Sequence, residues 1–163
     1  MSREPLIQNA AGSVHTEQQG SNRRDRSWTE AFTGIYSEAL LEFIRTEEEA
    51  IYYLALDLQE RRQGGFHSLI RLIDWESNDG YNRQRVLTGH APIDFATGQI
   101  IELHHIGQRR NSPLAELTGA EHRSRYANNL LHSGAGRETI HRNQFQAVRR
   151  AYWMNRMQSD TSC

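Results

Sequence analysis

The sequence predicts an α+β fold, on three observations. Between about Trp28 and Trp75, apolar residues recur at spacings of three and four, which indicates amphipathic helices. After Pro92, short apolar runs are bounded by turn residues, which is typical of a hairpin and a further short strand. A capped helix follows that strand and a long helix closes the chain. The predicted architecture is an N-terminal helical part followed by a core of strands and helices.

Length and composition exclude several classes of protein. The chain has 163 residues, of which 37% are hydrophobic, and this is the usual size of one domain. Its apolar runs are all far shorter than the 18 or so residues of a membrane helix, and its start leads into no apolar signal segment. We therefore expect a soluble cytoplasmic protein without a signal peptide or membrane insertion. The single cysteine, Cys163, excludes an intrachain disulfide framework and a cysteine-based zinc site.

The first part of the chain divides into an arm and an acidic region. Residues 1–26 show no sustained period and predict a flexible arm. Residues 27–80 predict an acidic helical part. Its first helix begins at a Ser27-x-x-Glu30 capping-box pattern and runs to about residue 44. Its second begins at Thr46-x-x-Glu49 and ends at Arg61-Arg62, before two glycines.

The remaining elements follow in order. A third short helix is predicted over 66–75, with a strand as the alternative, and a turn follows at Asn78-Asp79-Gly80. Residues 81–163 form the predicted core. It has a hairpin with strands at 93–95 and 100–105 and a strand at 114–117. A Thr118-x-x-Glu121 capping box opens a helix that is predicted to stop at Asn128-Asn129, and the last helix covers about 143–157.

Charge and histidine are distributed unevenly. Residues 1–80 have 8 Arg and 14 acidic residues, a net charge of −6, whereas residues 81–163 have 11 Arg and 6 acidic residues, a net charge of +5. Six of the eight histidines lie in the second part. A basic, histidine-rich core is suited to a polyanion and a metal ion, and the acidic part to a solvated scaffold or a basic partner.

An ordered series of motifs crosses the second part. It comprises Gly89-His90-Ala91-Pro92, Glu102-Leu103-His104-His105, Pro113-Leu114-Ala115-Glu116-Leu117-Thr118, Glu121-His122-Arg123 and Leu131-His132. Over about 81–157 the chain resembles the LHH branch of the HNH/endonuclease VII nuclease superfamily. The resemblance implies a ββα-metal (His-Me finger) core, similar to bacterial polymorphic-toxin and colicin-type DNase domains, which are usually paired with an immunity protein.

The resemblance assigns roles to four residues. Phosphodiester hydrolysis needs a base for water and a divalent cation at the phosphate, and histidine serves both purposes. Neighbouring residues on a strand point to opposite faces, so the two adjacent histidines can divide these roles. By resemblance His104 is a metal ligand, His105 the general base and His122 a second metal ligand. Glu102 matches a glutamate that supports the active-site groups.

Two positions depart from the colicin-type pattern. Ten residues separate His122 from His132, about 15 Å along an unbroken helix, so both reach one ion only if the helix breaks. Either the break at Asn128-Asn129 returns His132 to the metal, which the similar spacing in the LHH branch favours, or His132 is structural. Pro113 stands where the motif has a bracing asparagine. Asn111, Gln108 or Glu116 would then brace the loop or the base, and Glu116 lies within the family's own motif.

The sequence therefore predicts a metal-dependent endonuclease that cleaves DNA without sequence specificity, as a bacterial toxin or defence effector. RNA is the alternative substrate. The cofactor is one divalent ion, Mg²⁺ or Zn²⁺, with Mn²⁺ and Ni²⁺ as alternatives. The alternative function is a non-catalytic nucleic-acid- or protein-binding module with a structural His-bound metal. The N-terminal helices are candidates for an immunity-protein or homo-oligomer interface. The predicted phosphate-binding residues are Arg85, Arg109, Arg110 and Arg123.

Overall fold

The fold is a single mixed sheet with helices on both faces. The structure is a computed structural model that describes residues 25–133 and 138–162. The predicted arm, apart from its last two residues, lies outside this part. The strands are β1 Gln59–Gln63, β2 Phe66–Ile70, β3 Ile93–Asp94, β4 Gln99–His105 and β5 Leu114–Thr118. The helices are α1 Glu38–Leu41, α2 Glu47–Ala55, α3 Ser77–Leu87, α4 Gly119–Arg123, α5 Arg125–His132 and α6 Arg142–Thr161. The predicted α+β class is confirmed.

The first predicted helix was wrong in extent. A 3-10 helix covers Ser27–Phe32 and the short helix α1 follows after an isolated bridge. Ser27 lies inside the 3-10 helix and the preceding residue makes no side-chain cap, whereas Ser37 caps α1 by accepting from the Leu40 amide. Two short helical segments, instead of one long helix, bury the apolar residues that recur at helical spacing.

The acidic part also contains strands that were predicted as helix. Thr46 caps α2 as expected, but α2 ends at Ala55, and the residues around Arg61 and Arg62 form β1. The two glycines make the turn to β2, which pairs antiparallel with β1, so the strand alternative for this segment is confirmed. Gly64 and Gly65 both have positive φ, as a tight hairpin turn requires.

The sheet order is β1-β2-β5-β4-β3. Strand β2 pairs parallel with β5, and β5 pairs antiparallel with β4, with His104 opposite Ala115 and His105 opposite Leu114. The hairpin β3–β4 and the strand β5 lie where the sequence predicted them. One sheet therefore joins the two parts predicted from the sequence.

The helix α3, which was not predicted, links the two parts that the sequence predicted. Asn78, Asp79 and Gly80 have left-handed φ values, as a turn would, but α3 continues to Leu87. The Asn82 side chain donates to the Asp74 and Ile93 carbonyls and accepts from the Ile93 amide. These bonds fix β3 against the end of the preceding loop.

The sheet has an apolar core on each face. One core joins Leu69, Ala115 and Leu117 of the sheet to residues of α1, α2 and α5. The other joins Leu103 and Leu114 to α3 and to the second half of α6. The histidines of β4 therefore enter different environments on the two faces. Among the described residues we find no helix with the length and apolarity that a membrane crossing requires.

Candidate active site

The two adjacent histidines are placed at the end of β4. Both are buried, with exposed fractions of 3% for His104 and 8% for His105. Their pairing with Ala115 and Leu114 puts them on opposite faces of the sheet, as the alternation along a strand requires. His104 points toward α4 and α5, and His105 toward α6.

Helix α4 brings His122 to the face of His104. Thr118 and Glu121 form the complete capping box that the sequence predicted, with each side chain bonded to the other's backbone amide. This fixes the start of α4 directly after β5. His122 is therefore held in the first turns of a helix whose entry is locked to the sheet.

A break in the helix returns His132 to the same place, but it does not lie where it was predicted. Ser124 has extended backbone angles, ends α4 and caps α5 by accepting from the Ala127 amide. Asn128 and Asn129 lie inside α5. A serine N-cap two residues after His122 starts a new helix direction, and His132 is the last residue of that helix.

Three imidazole nitrogens converge at one point. His104 Nδ1 lies 3.2 Å from His122 Nε2, and His122 Nε2 lies 3.2 Å from His132 Nε2. Ligand atoms at 2.0–2.1 Å from a tetrahedral ion would lie about 3.3 Å from one another. A single in-plane lone pair on His122 Nε2 cannot accept from both neighbours. The arrangement therefore fits three ligands of one divalent ion.

Glu102 sets the tautomer of His122. Its carboxylate lies 2.8 Å from His122 Nδ1 and 2.8 Å from the guanidinium of Arg123. An Nδ1–H that donates to this carboxylate leaves the lone pair on Nε2, the atom that faces the cluster. Glu102 thus contacts His122 on the side of the ring that faces away from the histidine cluster.

The three histidines are a candidate metal site. Within residues 25–133 and 138–162, the three histidines are the one group of His, Cys, Asp or Glu that meets the spacing of a metal site. Catalytic sites combine three protein ligands with an open position, whereas structural sites close with four. Burial, reinforced by His122 and His132, holds the pKa of His104 well below its usual value, so this ring is neutral and free to donate a lone pair.

His105 lies on the opposite face, beneath α6. The ring of Phe145 packs on it at a centroid distance of 4.7 Å, and both imidazole nitrogens are shielded from solvent. Its side chain lines a cavity of about 470 Å³ together with Arg110 and Asn111. Burial lowers the pKa of His105, partly offset by the Arg109 backbone, so the imidazole is neutral at pH 7 and able to accept a proton.

The comparison with protein families identifies this arrangement. The model of the family LHH, described as a nuclease of the HNH/ENDO VII superfamily with conserved LHH, matches residues 81–159. We call residues 81–159, which match this family model, the LHH domain. The Leu-His-His of the family's description is Leu103-His104-His105. No curated protein and no solved structure matches the chain. The predicted resemblance is confirmed, and the LHH domain supports nuclease activity, which acts on a nucleic acid.

Glu116 of the LHH domain does not meet His105. Its fully buried carboxylate accepts from Tyr152 at 2.7 Å, from Arg156 Nε at 2.9 Å and from the Arg71 amide at 2.9 Å. Arg156 is 1% exposed, so this is a buried ion pair between β5 and α6. Burial raises the pKa of Glu116 above its usual value, and Arg156 and the two other donors offset this only in part. The structure uses Glu116 to hold α6 on the sheet, not to brace the base.

The four predicted phosphate-binding arginines of the LHH domain have different surroundings. Arg109 and Arg110 are exposed on the loop after β4, with Arg109 over the Phe43 ring and Arg110 bonded to the Thr139 carbonyl. Arg123 is exposed beside Glu102. Arg85 is half-buried and donates to the Ala91 carbonyl, which leaves it the least available of the four.

Sequence reasoning missed part of the cleft beside His122. A second cavity, of about 600 Å³, is lined by Glu102, His122, Phe145, Arg142 and Arg149. The two arginines are seven positions apart on α6, so they lie on one face of this helix, next to the histidine cluster. Neither arginine was among the predicted phosphate-binding residues, since an arginine in a helix is usually a solvated charge. The i, i+7 spacing of the two was the available signal.

Proposed function

We propose that this protein is a divalent-metal-dependent endonuclease that hydrolyses DNA without sequence specificity. The observation that carries the proposal is the convergence of three imidazole nitrogens, with His122 Nε2 lying 3.2 Å from both His104 Nδ1 and His132 Nε2. His105, the next residue on the strand, supplies a neutral imidazole. A divalent ion held by three protein ligands, together with a general base, is suited to phosphodiester hydrolysis.

Each residue has a defined part in the proposed reaction. His104, His122 and His132 hold the ion, and Glu102 fixes the His122 ring through Nδ1. A bound divalent ion neutralises charge on the phosphate and on the leaving oxygen. An imidazole nitrogen of His105 accepts the proton of the attacking water. Because Phe145 covers the His105 ring, the proposed reaction requires the Phe145 side chain to move aside when the substrate binds.

The basic cleft supports a nucleic-acid substrate. Arg142 and Arg149 line the cavity beside His122, Arg123 lies beside Glu102, and Arg110 lines a cavity with His105. Guanidinium groups recognise phosphate oxygens irrespective of the base, and such contacts give salt-dependent, sequence-independent affinity. DNA is the proposed substrate on the resemblance to DNase domains, and RNA cleavage is measured in the same experiment.

A role as a bacterial toxin or defence effector follows from the same resemblance, and such toxins act on DNA in the target cell's cytoplasm. Induction of the wild-type chain in a bacterial host, in parallel with His105→Ala, tests this role by viable counts.

The half-exposed Ile51 and Leu54 on α2 support an immunity-protein or self-association surface. Leu54→Glu is expected to abolish such assembly without loss of the metal, as measured by light scattering. The nearby Leu58 is buried, so a polar substitution there would disturb the core and would not test this surface.

The decisive experiment compares cleavage by three proteins. Supercoiled plasmid and RNA are incubated with the wild type, His105→Ala and the matched control His90→Ala, whose histidine is exposed and outside the cluster. Mg²⁺, Mn²⁺, Ni²⁺ or Zn²⁺ is added, with EDTA as the blank. We expect metal-dependent plasmid cleavage by the wild type and His90→Ala alone, with metal and DNA binding retained in His105→Ala. Tight metal binding without cleavage under any condition would instead establish the non-catalytic module with a structural ion.

A further inference from the structure

An arginine outside the LHH domain reaches the helix that carries His132. Arg45 precedes α2, and its side chain is 12% exposed. Its guanidinium Nη2 lies 2.8 Å from the Leu131 carbonyl oxygen and 3.5 Å from that of Leu130, and Nη1 donates to the Ser133 carbonyl. Arg45 therefore binds the backbone on both sides of His132.

The end of α5 depends on such a donor. The last four carbonyls of a helix have no partner within it, and α5 is only eight residues long. His132 is its final residue, at the position where helices fray most readily. A cation at a helix C-terminus also interacts favourably with the helix dipole. Arg45 thus satisfies the carbonyls of the turn whose order determines where His132 Nε2 lies.

Arg45 is itself held in place by a buried carboxylate. Glu49 is fully buried, accepts from the Arg45 amide at 2.9 Å and from the Tyr53 hydroxyl at 3.0 Å, and lies 3.8 Å from Arg45 Nε. A buried charge of this kind requires its partner. The pair Arg45–Glu49 is therefore a built feature of the core and not a chance surface contact.

Tyr52, also on α2, supports the helix that carries His122. The Tyr52 hydroxyl donates to the Glu121 carbonyl at 2.7 Å, directly before His122, and its ring packs against Tyr126 at 5.9 Å. Both helices that carry metal ligands are thus fastened from behind by residues 45–52. None of these residues lies within the family match.

We propose that Arg45, oriented by Glu49, is a positioning residue for the metal centre, which it serves by ordering the last turn of α5 around His132. This inference rests on the proposed three-histidine centre. The inference predicts the direction in which metal affinity changes when Arg45 is replaced. The positive charge of Arg45 repels a cation bound nearby, so loss of the charge alone would tighten metal binding. Loss of the positioning of His132 would instead weaken metal binding.

The test measures metal affinity in the full chain. Arg45→Met leaves Glu49 without its partner, so the double variant R45M/E49Q is compared with it, and Arg45→Lys tests partial rescue. Arg61→Met is the matched control, since Arg61 also lies outside the LHH domain but pairs with Asp160 and is not part of the cluster. The probe is Co²⁺ alone, titrated by its visible absorption, with circular dichroism as the check on folding.

We expect R45M/E49Q to remain folded and to bind Co²⁺ about tenfold more weakly, the lower end of the range for residues that support metal ligands. Its absorption band should shift or weaken, Arg45→Lys should be intermediate, and Arg61→Met should equal the wild type. Unchanged or tighter Co²⁺ binding by folded R45M/E49Q overturns the inference and leaves the proposed function intact. Absence of Co²⁺ binding by the wild type overturns both.

Discussion

The carbonyl oxygen of Phe43 lies against the α-carbon of Gly107. A β-carbon built on Gly107 would lie 2.4 Å from this oxygen, and Gly107 has a φ of +70°. The loop that follows the two strand histidines is therefore packed directly on the backbone of the N-terminal region, and only glycine permits the contact.

Gly107→Ala is expected to destabilise the protein by more than the roughly 1 kcal/mol of a left-handed backbone angle, because the clash is with backbone that cannot rotate away. Gly98→Ala is the matched control, with the same φ of +70° and open space around it. Urea unfolding measures both. Equal losses for the two variants would show that the contact with Phe43 costs nothing.

Glu102→Gln is expected to weaken metal binding 10- to 100-fold, because the amide no longer fixes the proton on His122 Nδ1. Zn²⁺ competition titration measures the affinity. Arg123→Met removes the other partner of the same carboxylate and should leave the affinity within a few-fold of the wild type. Equal effects of the two changes would contradict the assignment of the His122 tautomer.

Arg142→Ala and Arg149→Ala are expected each to reduce the slope of log Kd for DNA against log salt by about 1, as expected for one lost phosphate contact. Arg150→Ala is the control, since Arg150 is exposed on α6 but does not line the cleft beside His122. Fluorescence anisotropy in EDTA, which prevents cleavage, gives the slopes. Unchanged slopes for Arg142 and Arg149 would remove α6 from the proposed substrate surface.

Arg156→Met is expected to lower the free energy of unfolding by about 3–5 kcal/mol, because it leaves the Glu116 carboxylate buried without its partner. The double change Glu116→Leu with Arg156→Met removes both charges and should recover much of this loss. Chemical denaturation of the wild type and the two variants gives the comparison. An additive double variant would show that the two groups do not interact.

Asp160 is expected to contribute to stability in acid. Burial opposes its ionisation, but hydrogen bonds from Trp75 at 2.9 Å and Arg61 at 2.7 Å and the charge of Arg156 outweigh this effect, so the pKa of Asp160 lies below its usual value. The stabilisation is present above the unfolded-state pKa of about 3.9 and is lost as pH falls through the folded value. Asp160→Asn should therefore flatten the acid limb of stability against pH, measured by thermal unfolding.

The sequence sufficed for the histidine strand, its hairpin and the capped helix because their signals are local. It failed at β1, because that strand lies at the edge of the sheet. An edge strand keeps polar residues on both faces, so Arg61 and Arg62 show no alternation and resemble a helix end. The helix break was expected at Asn128-Asn129 because asparagine disrupts helices, whereas the cap at Ser124 looks like an ordinary helical serine.

The supports of the site were beyond sequence reasoning for a different reason. Arg45 contacts carbonyls 85 to 88 positions away, and Glu116 meets Arg156 across 40. No periodicity or local motif encodes such pairs, so a glutamate within a catalytic motif and one within the core are indistinguishable until the chain is folded.

The parallel pairing of β2 with β5 also governs when the metal centre can form. Residues 71–113 must loop out before these two strands meet, and closing so long a loop is slow compared with forming a hairpin. The strand with the paired histidines joins the sheet through β5, and the remaining ligands lie beyond β5 in the chain. We therefore expect the three histidines to come together late, only after α5 has been synthesised.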